Sequence, residues 1–133
     1  KFKYNIDTDK DVDMDTTIPK MLIHTFVENS IKHGIRHLEN KGHLSISITN
    51  LQTGIKVEIH DNGIGRKKAA QYSKYSTGRG LNILDQMIAF YKDEKNVKIR
   101  YEIFDLYDSE QEPAGTKVKI TIPLQKNILT HTP

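Results

Sequence analysis

Residues 22–33 read LIHTFVENSIKH. Placed at 100° per residue on a helix, Leu22, Ile23, Phe26, Val27, Ser30 and Ile31 fill one half of the circumference, and Thr25, Glu28, Asn29 and Lys32 crowd a polar arc of roughly 100° with His33 at its border. A carboxylate, an amide and an ammonium thus share one stripe of a helix whose back is buried. A Glu28–Lys32 pair four residues apart accounts for two of them as a solvated face. Helix propensity does not account for Asn29 in the middle. A second cluster, Asp61-Asn62-Gly63-Ile64-Gly65, follows a strand directly. Asn-Gly is a turn dipeptide, but no strand comes next to make this a hairpin tip. Gly65 leaves bare backbone that a planar ligand can approach, and an Asp at its edge can accept from an exocyclic amino group. A third, Thr77-Gly78-Arg79-Gly80-Leu81-Asn82, opens a helix, where free N–H groups and the positive dipole end suit phosphate. Gly115-Thr116 precedes the last strand and on its own reads as a turn.

Other constellations are thinner. His33 and His37 have metal-ligand spacing, but Gly34 is placed to end the helix between them and no Cys or acid completes a set. Arg66, Lys67, Lys68, Lys74 and Arg79 form an anion-attracting stretch without an acid among them. With Tyr72 and Tyr75 it resembles a stacking platform for single-stranded nucleic acid. The net charge of only +3 gives no reason to expect nucleic acid as a partner.

The elements that must carry these clusters follow from periodicity. Phe2–Ile6 alternates weakly as a strand, and the Asp-rich stretch 7–15 is a loop. Thr17, Ile18 and Pro19 open a helix expected to run to about His33, with Gly34 as its stop. Leu44, Ile46 and Ile48, then Ile55, Val57 and Ile59, alternate with polar residues and form a hairpin about Thr53-Gly54. From Asp61 to Gly80 the periodicity vanishes, which predicts a functional loop. A helix follows over 80–91 with Leu81, Leu84, Met87 and Ile88 on one stripe. Val97–Ile103 and Val118–Ile122 are strands about a polar turn, Ser109–Gly115. Strands joined by short turns exclude a doubly wound parallel sheet. The expected fold is α+β: a two-layer sandwich with a mixed, largely antiparallel sheet under a layer of helices.

A chain of 133 residues with 36% hydrophobic and 28% charged residues makes one globular domain. Zero cysteines exclude disulfides and thiolate metal sites. No run of 18 apolar residues is present to span a membrane. The first residue is Lys rather than Met, and the chain reads as a fragment of a longer protein.

In order, VENSIKHG, DNGIG, GRGLN and Gly-Thr before a strand resemble the catalytic ATP-binding domain of bacterial sensor histidine kinases, within the GHKL (Bergerat-fold) ATPase superfamily. The surroundings, Ile18-Pro19 and the short lid, are similar to the LytS-like kinases. The resemblance covers residues 1–124, with a lid over about 66–79 and a tail over 125–133. It implies ATP and Mg²⁺. Asn29 would be the Mg²⁺ ligand, Lys32 would reach the phosphates, and His33 would lie near the phosphate or ribose. Asp61 would bind the adenine amino group between Gly63 and Gly65, with Thr116 in support. Gly78, Arg79, Gly80 and Leu81 would line the triphosphate.

Three departures matter. The Glu that activates water in hydrolysing relatives stands four residues before the Asn, where this chain has Thr25. The second Asn of many histidine kinases is missing there too, and Arg79 is a bulky residue between glycines. The resemblance implies a phosphoacceptor histidine on an upstream dimerisation domain, a response regulator, a homodimeric full-length protein, and a cytoplasmic domain behind an inner-membrane sensor. An alternative on the same fold is a non-catalytic ATP-binding regulatory module. An anti-sigma serine kinase is disfavoured by Thr25.

Overall fold

The computed structural model describes residues 2–12, 18–39, 41–72 and 79–123. The elements in chain order are β1 (Phe2–Thr8), α1 (Lys20–Asn29), β2 (Gly42–Leu51), β3 (Gly54–Asp61), α2 (Gly65–Tyr72), α3 (Arg79–Lys95), β4 (Arg100–Tyr107) and β5 (Pro113–Pro123). The strands form one sheet in the order β1-β2-β3-β5-β4. β2–β3, β3–β5 and β4–β5 are antiparallel. β1 lies parallel to β2, a pairing that needs a crossover, and α1 provides it. The sheet is therefore mixed and largely antiparallel, as its turns required.

Alternation along the strands decides which face is buried. Val57, Ile59, Val118, Ile120 and Ile122 close a single core with Leu22 and Phe26 of α1 and Leu84 of α3. Val57, Ile59 and Ile120 are fully buried. Tyr101 of β4 ties the layers together: its ring meets Phe26 edge-on at 5.1 Å, and its hydroxyl donates to Asp85 of α3 at 2.7 Å. Burial, then the Asp85 carboxylate, push that hydroxyl up to about 12. The opposite face is polar. There Glu58 lies between Lys56 at 3.2 Å and Lys117 at 2.8 Å, and the hydrogen bond from Lys117 holds its carboxyl below the usual range.

Three local expectations are corrected. The first helix does not stop at Gly34. It ends as α-helix at Asn29, widens into a π-turn over Ser30–Gly34, and passes into a 3-10 turn at Ile35–His37. Gly34 has φ −103° and ψ −76°, not the left-handed conformation of a stop glycine. It is glycine because a Cβ there would stand 3.0 Å from Oδ1 of Asp61. The stretch 61–80 is not structureless, since 65–72 is helical. Of the side chains in α2 only Ala69 is buried, too few to leave an apolar stripe. Finally, β4 runs over Arg100–Tyr107 rather than Val97–Ile103, and β5 begins at Pro113, inside the expected turn. Val97 and Ile99 are core residues on the approach to β4.

Candidate nucleotide site

Asp61 is the last residue of β3 and is 1% exposed. Its Oδ1 accepts from the Gly63 N–H at 2.9 Å, and its Oδ2 accepts from the Thr116 hydroxyl at 2.5 Å. Thr116 can reach it because β3 and β5 pair in register there. Among the described residues no cation pairs with Asp61, so this buried carboxyl is held by two neutral donors. A carboxylate has room for further donors, and an amino group fits that chemistry.

The backbone is packed tightly around it. A Cβ on Gly63 would come within 2.4 Å of the Gly34 backbone, and the Ile64 N–H donates to the Gly34 carbonyl at 3.3 Å. Gly65 takes φ +80° as α2 begins, and Gly115 takes φ +117° against the Asp61 carbonyl. The glycines of 61–65 thus have reasons within the chain, beyond leaving room for a ligand. Asn62 points elsewhere: its Oδ1 accepts from the His43 N–H at 2.6 Å, and its amide donates to the Lys41 carbonyl at 3.2 Å. It fastens the end of β3 to the start of β2, a role that the turn propensity of Asn-Gly concealed.

Asn29 is half-buried at the last α-helical position of α1, just before the π-turn that leads to Gly34. An amide oxygen suits Mg²⁺, a hard cation that takes oxygen ligands and keeps several waters. Among the described residues no group of three or more His, Cys, Asp or Glu is placed to hold a metal. Lys32 is exposed and donates to Glu28 at 2.6 Å, while His24 contacts the other Glu28 oxygen at 2.9 Å. The Lys32 hydrogen bond, with its charge, holds the Glu28 carboxyl below its ordinary value. His33 is half-buried within the π-turn.

Arg79, Gly80 and Leu81 form the first turn of α3, with Leu81 packed against the core. Gly78, Lys74 and Tyr75 lie outside the described residues. Within the expected lid, Arg66 is not a free phosphate-facing cation. Its Nε and Nη2 donate to Oδ1 and Oδ2 of Asp105 on β4 at 2.7 and 2.8 Å. Lys68 stands 3.8 Å from Glu112. Tyr72, at the end of α2, stacks on His37 with centroids 4.6 Å apart. Residues 66–72, the start of the expected lid, are therefore docked on the domain. The sequence carried no signal for any of these three contacts, because each joins residues more than thirty positions apart.

Residues 15–126 match the family described as histidine kinase-, DNA gyrase B-, and HSP90-like ATPase. The sensor protein LytS of Streptococcus mutans is 33% identical over 133 residues, 93% of this chain and 21% of that protein. LytS of Oceanobacillus iheyensis is 29% identical over 114 residues, 75% and 20% of the two chains. The chain spans about a fifth of the length of these curated relatives. Among solved structures, the nucleotide-free catalytic domain of histidine kinase ThkA superposes with a TM-score of 0.57 at 22% identity, covering 92% of this chain and 78% of that one. The mycobacterial sensor histidine kinase MprB gives 0.54 at 18% identity, covering 77% and 68%. These superpositions show a shared fold. By its match over residues 15–126, the chain belongs to the histidine kinase-, DNA gyrase B-, and HSP90-like ATPase family.

Proposed function

We propose that this domain binds Mg-ATP and presents the γ-phosphoryl to a histidine carried by a separate, upstream dimerisation domain, from which it passes to a response regulator. One observation carries the assignment of the base site: Asp61 is buried at a strand end, oriented by Gly63 and Thr116, with no cation beside it among the described residues. Such a group selects a ligand that offers a neutral donor, as the adenine amino group does. Bound Mg²⁺ would supply charge neutralisation at the phosphates. Asn29 offers it an amide oxygen, and Lys32, released from Glu28, offers a cation on the same helical stripe. His33, the first turn of α3 (Arg79, Gly80 and Leu81) and Gly78 complete the phosphate side of this assignment. In this reading the full-length protein is a homodimeric, membrane-anchored sensor with this domain in the cytoplasm; the relatives are named sensor proteins.

Calorimetric titration of the chain tests the base site. ATP should bind and GTP, which offers a carbonyl at the equivalent edge, should bind poorly. Asp61→Asn should lose roughly 10-fold or more for ATP, the worth of one charge-assisted hydrogen bond. Equal affinity for ATP and GTP removes Asp61 from this role. Phosphotransfer by the full-length protein separates a kinase from a non-catalytic nucleotide-sensing module on the same fold.

A further inference from the structure

Thr116 stands opposite Asp61 on β3 and, on its other side, opposite Asp105 on β4. Residues so paired share a face of the sheet, and neighbouring strands lie about 4.8 Å apart. Two carboxylates therefore flank one hydroxyl that has a single proton to give. The proton goes to Asp61, and Asp105 instead receives two parallel bonds from the Arg66 guanidinium.

We infer that Arg66 is a positioning residue for base recognition: by claiming both oxygens of Asp105, it leaves the Thr116 hydroxyl to Asp61. This role rests on the assignment of Asp61 to the adenine amino group. Arg66 acts on the base through Asp105, Thr116 and Asp61 in turn. The planar fork of Arg matches a carboxylate at both oxygens, and a Lys in its place would hold only one. The guanidinium also keeps the Asp105 carboxyl below its ordinary value.

The test compares affinities for ATP and for inosine triphosphate, which has a carbonyl in place of the amino group, while circular dichroism checks the fold of each variant. The wild type should prefer ATP. Arg66→Met frees Asp105 to compete for Thr116 and should shrink that preference roughly 3- to 10-fold, the net worth of one hydrogen bond. Arg66→Lys should recover part of it. Asp105→Ala alone breaks the same ion pair but removes the competitor, and should keep the full preference. Arg66→Met combined with Asp105→Ala should restore it. If Asp105→Ala loses the preference, or Arg66→Met weakens both nucleotides by one factor, the pair merely holds α2 in place and the inference is overturned. A wild type with no preference overturns the base assignment itself, a distinct outcome that the variants are not needed to see.

Discussion

A Cβ placed on Gly34 would lie 3.0 Å from Oδ1 of Asp61, the same oxygen that accepts from the Gly63 N–H. The end of the first helical segment and the end of β3 therefore meet at one carboxyl. The helix that carries Asn29 and Lys32 is brought to Asp61 by this close approach, and its π-turn delivers Gly34 to the contact.

Gly34→Ala and Gly63→Ala should differ in severity. The methyl added at position 34 meets a side-chain oxygen that can turn, so the domain should fold with a displaced Asp61 and weaker nucleotide binding. At position 63 the methyl meets the Gly34 backbone at 2.4 Å, which cannot yield without moving the chain. Urea unfolding should show a loss of about 1–3 kcal/mol or more for Gly63→Ala. A smaller loss there than for Gly34→Ala would contradict this packing.

Thr116→Val removes the donor to Oδ2 of Asp61 and leaves a buried carboxyl oxygen short of a partner. The expected loss is about 1–3 kcal/mol of stability, read from denaturant midpoints at unchanged slope. Thr116→Ser should recover most of it, because the hydroxyl returns.

The Arg66–Asp105 pair should appear in the acid limb of the stability profile. The hydrogen bond from Arg66 lowers the Asp105 carboxyl below its unfolded value of 3.8. A lowered folded value means stabilisation that is present above 3.8 and lost as pH falls through the folded value. Both side chains are well exposed, at 52% and 39%, so the stabilisation is about 0.5–1 kcal/mol despite the bidentate geometry. The gap between wild type and Asp105→Asn should be flat near neutral pH and close below 3.8. A gap that widens on acidification would refute the pairing.

The domain should bind ATP and hardly hydrolyse it. The Thr25 hydroxyl is no base near neutral pH, and Glu28, adjacent to Asn29 in the helix, projects about 100° away from it. Loss of a general base removes a factor of about 10²–10⁴, whereas a neutral imidazole acceptor is itself a nucleophile. Phosphate release by the chain should be slow and unchanged in Glu28→Gln. Fast release abolished by that substitution would return Glu28 to the chemistry.

By itself the sequence determined the layers and the clusters, because both are local. Alternation over Leu44–Ile48 and Ile55–Ile59 set the β2–β3 hairpin and its buried face, and the apolar half of 22–31 set the helix back that meets it. Asp61, Gly63 and Thr116 were singled out by residue type and order, and their contact was not legible. It depends on β5 entering between β3 and β4, a choice made by sheet pairing over 55 positions. Tertiary structure also decided what the sequence misassigned. Gly34 reads as a helix stop but serves a close approach, and Asn62 reads as a turn residue but clasps β2. Arg66 reads as one of a run of phosphate-seeking cations, yet Asp105 takes it. In each case propensity describes a residue against its neighbours in the chain, while its final partner comes from a distant strand whose register only the packed sheet fixes.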